Sequence, residues 1–346
     1  MIPEPRRYRK PDGRTLWLYG AAPDEPAARH GGEPASTAHP HLRWHPLRGE
    51  WVIYTAHRQA RTFLPPSESC PLCPTAPDGP PTEIPFHHFE IAVFENRFPA
   101  LVGNPPPPPA LPVHVAAAEG ACEVVVYTAA HRGSLATLAQ DRRELLVRVW
   151  IHRYRELYAR QSVRCVMPFE NRGEAVGVTL HHPHGQVYAY PFVPPVLGAE
   201  AAAFRRRPVM DEIVGRAEYT VEEDDAMVTV AAPCARFPYE VWVVPRRRHP
   251  GPWTFAKPEV RSLARALGRA VARYDALFAK TAPYVMVLHA APKGEDEHFH
   301  FHVEFYPLLR AADRLKYLAG TELGAGAFTV DVLPEEAART LRQINP

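Results

Sequence analysis

The sequence predicts an α+β fold: a duplicated strand–helix–strand–strand unit whose helices cover one face of a mainly antiparallel sheet. Three observations lead there. Short β-branched and aromatic runs, such as Trp51-Val-Ile-Tyr54 and Glu123-Val-Val-Val-Tyr127, have strand character. Two longer segments carry apolar stripes at helical spacing, Leu146, Val149, Trp150, Tyr154 and Leu157 in one and Val260, Leu263, Leu267, Val271, Tyr274 and Leu277 in the other. Landmarks also recur at a nearly constant interval. Arg-Tyr-x-x-Leu begins at Arg153 and again at Arg273, 120 residues on; Val-Met recurs at Val166 and Val285 after 119, and His-x-His at His182/His184 and His300/His302 after 118. These landmarks, in agreement within three residues, point to duplication.

Taken in order, residues 1–42 are polar and rich in Pro and Gly without sustained periodicity, and are expected to form an irregular arm. Order is expected from Arg43. Pro105 to Pro109 is a stiff polyproline connection. The first half, residues 43–200, runs from a strand at Glu123 through His131, the first helix and the strand at Val166 to His182-Pro-His184-Gly-Gln186 and the strand Val187–Tyr190. The second half, residues 201–346, repeats this from Glu240 through His249 to His302.

Composition sets bounds. Apolar residues make up 46% and charged residues 23% of 346, ordinary for a globular chain with a large core. A net charge of +2 excludes the polycationic footprint of non-specific nucleic-acid binding, while leaving room for a small anion held by a few arginines. The basic runs Arg205–Arg207 and Arg246–His249 lack aromatic interleaving and are read as solvated faces, so no nucleic-acid partner is expected. The N-terminus lacks an apolar leader, and no apolar run approaches the roughly 18 residues a membrane span needs. Five dispersed cysteines are no disulfide framework, and a reducing cytoplasm fits them.

Histidine, at 18 residues, is the informative excess. Alternation puts His182, His184 and Gln186 on one face of a strand or its entrance. A neutral imidazole attacks phosphorus without a strong base to activate it. Gly185 removes a side chain where a phosphate would approach. Asn171, Thr179 and the glycines around them suit hydrogen bonds to phosphate oxygens, although a simple turn explains them equally well. Cys70-x-x-Cys73 is half of a tetrahedral zinc site, a redox pair, or neither.

These motifs occur in the order of the galactose-1-phosphate uridylyltransferase family, a branch of the histidine-triad superfamily. The chain resembles it from about Arg43 to the C-terminus, through Arg43-Trp-His-Pro-Leu, Ala56-His-Arg-Gln-Ala-Arg61, the Cys70/Cys73 pair, Phe94-Glu-Asn-Arg-Phe98, His131, Phe169-Glu-Asn-Arg-Gly173 with His182–Gln186, and Phe305-Tyr-Pro. Most of the superfamily has a third histidine where Gln186 stands. The resemblance implies two histidine-triad-like halves and makes His184 the nucleophile. It would take UMP from UDP-glucose and pass it to galactose 1-phosphate, with Gln186 hydrogen-bonding the phosphoryl oxygen. It implies that Arg58, Arg61, Asn96, Asn171 and Thr179 contact the nucleotide and its phosphates, and that Arg310, Lys316 and Glu322 serve the sugar end. It also implies a structural zinc on Cys70, Cys73, His131 and His182, and a second divalent metal, iron or zinc, on Glu200, His289, His302 and Glu304. Glu304 holds a position where the family has a histidine; alternation puts it on one strand face with His298, His300 and His302. A cytoplasmic homodimer is expected by the same resemblance. Thr321 and Phe328 depart from the tyrosine and glutamine found near the sugar in the best-known members, which leaves the hexose open. Two other readings are an ADP-sugar or dinucleoside-polyphosphate phosphorylase working through the same His184, and a zinc-stabilised binding module without catalysis.

Overall fold

The computed structural model describes residues 4–21, 25–26, 39–60, 64–76 and 79–346. Arg61 and most of the expected N-terminal arm lie outside them. The chain forms two compact units, which interleave along the sequence: residues 1–132, 148–168 and 179–199 make one, and 133–147, 169–178 and 200–346 the other. The expected division near residue 200 coincides with the last crossing, but a single cut misses the two short stretches that belong with the second unit.

The first unit holds strands β1 (Arg6–Arg9), β2 (Thr15–Tyr19), β3 (His41–His45), β4 (Glu50–Tyr54), β5 (Ile91–Glu95), β6 (Val115–Ala117), β7 (Ala121–Val126), Cys165–Pro168 of β8 (Cys165–Arg172) and β9 (His184–Tyr190). Helix α1 (Gln140–Tyr158) contributes its residues from Arg148 onward. Strands follow the order β1-β2-β5-β7-β9-β8, and every pairing from β1 to β9 with a defined register is antiparallel. A separate sheet orders β4-β3-β6. Order therefore starts well before Arg43, which corrects the expectation of an irregular arm. Leu16, Trp17, Leu18 and Tyr19 are all buried. A strand covered on both faces shows no polar–apolar alternation, so it carries no period to read.

The core of this unit gathers Leu16, Leu18, Phe86, Phe94, Val124 and Val126 around Cys70 and Leu72. All five residues of the expected stripe on α1 are buried, and Trp150 meets Tyr127 of the sheet edge-on at 6.3 Å. Gly120, just before β7, is a glycine of necessity: its φ is +155°, and a Cβ there would lie 2.1 Å from the Ala189 carbonyl.

The second unit takes Phe169–Arg172 of β8 and most of helix α2 (Pro195–Arg206), then α3 (Val209–Val214), β10 (Thr220–Glu223), β11 (Met227–Ala231), β12 (Val241–Pro245), α4 (Lys257–Leu277), β13 (Tyr284–His289), β14 (His302–Pro307), β15 (Leu309–Ala311), β16 (Arg314–Leu315) and α5 (Pro334–Gln343). Its sheet follows β8-β13-β14-β12-β11-β10, again antiparallel throughout. Helix α4 packs on β11 and β12 through the expected stripe, except that Leu277 at its end is only half-buried. The Glu259 carboxylate accepts the Ala256 N–H at 2.6 Å and so satisfies one open donor at the start of α4. The repeat is visible in the topology: β7-β9-β8 in one unit and β12-β14-β13 in the other place the last strand of each motif in the middle.

Candidate active site

The β7–β9 ladder sets the site. Val126 stands opposite His184, Val124 opposite Gln186 and Cys122 opposite Tyr188, so His184, Gln186 and Tyr188 share one face. At the strand entrance the His184 Nδ1 lies 2.7 Å from the His182 carbonyl. A carbonyl oxygen only accepts, so Nδ1 carries the proton and Nε2 is left with its lone pair. Desolvation holds the His184 imidazole below its ordinary pKa, which keeps that lone pair unprotonated at neutral pH.

His184 and Gln186 line one cleft together with Arg58, Asn96 and Thr179. Five of the expected residues thus meet in one place. Phe98 N–H donates to Asn96 Oδ1 at 2.8 Å, which turns the Asn96 Nδ2 toward Gln186 Oε1 at 3.4 Å. With its oxygen so engaged, Gln186 offers its amide N–H groups. Arg58 Nη1 donates to the Tyr188 hydroxyl at 2.9 Å. Thr179 is held by its own carbonyl, which accepts from Leu64 N–H at 2.8 Å. Leu72, Phe94, Phe98 and Val124 give the cleft an apolar wall suited to a flat base.

Other expectations fare differently. Gly185 does not line the cleft; it is buried and, by alternation, faces away from His184. Asn171 belongs to the second unit, opposite Val285 on β13. Lys316 and Glu322 also lie there, as a buried pair at 2.7 Å. Glu322 further accepts from Ala319 N–H at 3.1 Å and the Thr321 hydroxyl at 2.9 Å, so its oxygens are already committed. Arg310 forms an exposed ion pair with Asp331 at 2.9 Å. Sequence reasoning missed Tyr188 and Phe98. Both stand inside or beside motifs read for other members, and their alternation with His184 or proximity to Asn96 was the available signal.

Beside the cleft, Cys70, Cys73, His131 and His182 bring one ligand atom each within 4.8 Å of one another. Cys73 Sγ lies 3.4 Å from His131 Nδ1 and 3.5 Å from His182 Nδ1, and Cys70 Sγ lies 3.9 Å from His182 Nδ1. The edges of a tetrahedron with ordinary Zn–S and Zn–N bonds are about 3.5 Å. His182 Nε2–H donates to the Thr128 carbonyl at 2.8 Å, leaving Nδ1 as the donor atom toward the thiols. Burial, then Cys70 beside it, pushes the Cys73 thiol up to about 12, a cost that a bound cation would reverse. The residues fit a zinc ion.

In the second unit Glu200, His289, His302 and Glu304 form the other such group. Glu200 Oε1 is 2.7 Å from His289 Nδ1, and Glu304 Oε1 is 3.3 Å from His302 Nε2. Glu200 Oε2 is buried with no hydrogen-bond partner, an orphaned oxygen that a cation would satisfy. Burial disfavours the charge on His289, yet Glu200 and Glu304 raise it to about 9. The chemistry of this donor set suits a hard or borderline divalent ion. The expected ladder is shorter than alternation implied, because β14 begins only at His302. His298 is exposed, and His300 donates from Nε2 to the Pro245 carbonyl at 2.8 Å.

Comparison with known proteins bears on these arrangements. Residues 32–194 match the family model for the galactose-1-phosphate uridyl transferase N-terminal domain, and residues 207–346 that for its C-terminal domain. A galactose-1-phosphate uridylyltransferase of Thermotoga maritima is 38% identical over 316 residues, covering 87% of this chain and 98% of its own. A solved uridylyltransferase structure, 29% identical, superposes with a TM-score of 0.77 over 87% of this chain and 97% of that one. An ADP-glucose phosphorylase from Arabidopsis thaliana shares the fold, with a TM-score of 0.68 at 21% identity over 88% of this chain and 99% of that one. No helix among the described residues is long and apolar enough to cross a membrane. With both domains matched and a relative 38% identical over most of the chain, the chain belongs to the galactose-1-phosphate uridylyltransferase family.

Proposed function

We propose that this protein transfers UMP from UDP-glucose to galactose 1-phosphate through a covalent intermediate on His184. The observation that carries the reading is the Nδ1–H bond of His184 to the His182 carbonyl, which leaves Nε2 unprotonated in a cleft it shares with Arg58, Asn96 and Gln186. The Nε2 lone pair attacks the α-phosphorus of UDP-glucose. The bond from that phosphorus to the bridging oxygen breaks, and glucose 1-phosphate departs with the electron pair. The phosphate oxygen of galactose 1-phosphate then attacks the same phosphorus, the P–N bond breaks, and UDP-galactose leaves with His184 neutral again. The attacking phosphate is already an anion, so no general base is required. Gln186 donates an amide N–H to a non-bridging oxygen whose charge grows in each transition state. An amide cannot deprotonate water, which disfavours hydrolysis of the intermediate. Arg58, tethered by Tyr188, faces the phosphates, and Asn96 and Thr179 take polar groups of the nucleotide. Arg61, Asn171, Arg310, Lys316 and Glu322 are assigned to substrate by resemblance alone.

Cys70, Cys73, His131 and His182 would hold zinc, and Glu200, His289, His302 and Glu304 a second divalent ion, iron or zinc. A zinc ion at the first cluster would supply rigidity rather than Lewis acidity, since it fixes His182, whose carbonyl in turn orients His184. The five free thiols agree with a reducing cytoplasm, and the working form is read as a homodimer.

Positional exchange tests the mechanism. Labelled glucose 1-phosphate should enter UDP-glucose with no galactose 1-phosphate present, and a His184→Gly variant should abolish that exchange. Exchange only when both sugars are present would rule out a covalent carrier. Exchange with ADP-glucose in place of UDP-glucose would move the protein to the adenylyl branch, which at present rests on shared fold alone.

A further inference from the structure

Phosphate binding draws on the arginines of Ala56-His-Arg-Gln-Ala-Arg61 and makes no use of His57. Arg58 stands on a short 3₁₀ turn, Ala56–Ala60, where its N–H donates to the Thr55 carbonyl at 3.0 Å. A turn of five residues with this hydrogen-bond geometry is weakly held by itself. The guanidinium it carries also sits at the end of a long, rotamer-rich side chain. Such a cation contributes fully to phosphate binding only when turn and side chain are fixed before the substrate arrives.

The tip of the side chain is fixed by the Tyr188 hydroxyl. His57 fixes the base. Its Nε2 lies 2.9 Å from the Pro99 carbonyl, and since a carbonyl only accepts, Nε2 carries the proton. Pro99 is a firm anchor. The loop before it is tied to β7 by Asn96 N–H, which donates to the Cys122 carbonyl at 2.8 Å, and is closed on itself by Phe98 N–H on Asn96 Oδ1. One imidazole bond thus joins the turn that carries Arg58 to the loop that carries Asn96, and both of those residues line the cleft with His184. His57 does not itself line the cleft, so it acts through its neighbour and not on the reacting atoms.

We propose that His57 is a positioning residue for nucleotide transfer: its bond to Pro99 holds the turn so that Arg58 meets the phosphates of the substrate in a preset place. This rests on the reading that Arg58 serves the phosphates of UDP-glucose. The bond needs only the Nε2–H, which imidazole keeps whether neutral or protonated. Glutamine imitates that donor, because its amide nitrogen reaches about as far along the side chain as Nε2. Asparagine ends short of the Pro99 carbonyl, and leucine fills the space without a donor.

Steady-state kinetics of the full-length protein with UDP-glucose and galactose 1-phosphate test this. His57→Asn should lower kcat/KM for UDP-glucose about tenfold, chiefly through KM, and His57→Gln should keep most of the parent value. A double-mutant cycle separates positioning from fold. In an Arg58→Ala background the same His57→Asn change should cost less than about twofold, since the group it positions is gone. His57→Leu gives the same comparison should the asparagine variant fold poorly. An unchanged kcat/KM in His57→Asn, a glutamine variant as impaired as the asparagine one, or a full tenfold loss in the Arg58→Ala background would overturn the assignment. Each of those results leaves label exchange between glucose 1-phosphate and UDP-glucose intact in the parent. A parent without that exchange would instead overturn the reading of the cleft, and this role for His57 with it.

Discussion

The buried ion pair between β7 and α1 gives the sharpest stability prediction. Glu123 on β7 accepts from Arg153 Nε at 2.8 Å and Nη2 at 2.6 Å, and both side chains are 1% exposed. The guanidinium also lies 4.2 Å from the Trp17 ring centroid. Replacing Glu123 by Leu removes both acceptors and leaves a cation whose remaining aromatic neighbour is worth about 1–2 kcal/mol when desolvated. Breaking a buried pair on one side costs about 3–5 kcal/mol, chiefly the uncompensated charge. A Glu123→Leu/Arg153→Met double variant removes the charge as well, and its net change should lie within about 1 kcal/mol of the parent. Urea unfolding followed by tryptophan fluorescence reads both, since Trp17 and Trp150 are buried in the first unit. Glu123 neighbours Val124, which faces Gln186 across the ladder, so the single variant should also lose activity as it loses fold. A single variant that costs less than about 1 kcal/mol, or a double variant as damaged as the single, would refute the reasoning.

Three further outcomes are expected. Tyr188→Phe removes the hydroxyl that receives Arg58 and should lower kcat/KM for UDP-glucose about tenfold, mostly through KM, without changing thermal stability appreciably; an unchanged kcat/KM would show that Arg58 needs no tether. Elemental analysis should find zinc in the parent, and Cys73→Ser should lose it together with thermal stability; a variant with the parent's metal content and melting temperature would remove zinc from this cluster. Asp224 provides the pH test. Burial opposes its charge, but the Ser262 hydroxyl, the Ala226 and Met227 N–H groups and Arg265 lower its carboxyl to about 2. A depressed carboxyl stabilises the fold above its unfolded value near 4 and loses that contribution as pH falls through about 2. An Asp224→Asn variant should therefore melt below the parent near pH 6, with the gap closing toward pH 2; a gap independent of pH would contradict the assignment.

How far the sequence could be read follows from what kind of signal each feature leaves. The stripes on α1 and α4 come from a period of 3.6 sustained over several turns, and all but Leu277, at a fraying end, are buried. The recurrence of His-x-His led to two strands that occupy the same place in matching topologies. Both metal-ligand groups converge as the resemblance implied, although Cys70-x-x-Cys73 alone left zinc, redox and neither equally open. Strand β2 was illegible because Leu16 to Tyr19 are buried on both faces. The stretch around His298 misled for the opposite reason, since its alternating histidines lie in a loop that precedes β14. Side-chain pairing was beyond reach too. Nothing in the spacing of Lys316 and Glu322 announces that they satisfy each other instead of waiting for a ligand.

The most direct measurement is peptide mass spectrometry of the enzyme incubated with UDP-glucose alone and quenched in alkali, where a phosphoramidate survives. The account predicts a uridylyl group on the peptide containing His182 and His184, localised to His184 and discharged on adding galactose 1-phosphate. Turnover of UDP-glucose and galactose 1-phosphate with that histidine never modified would contradict it.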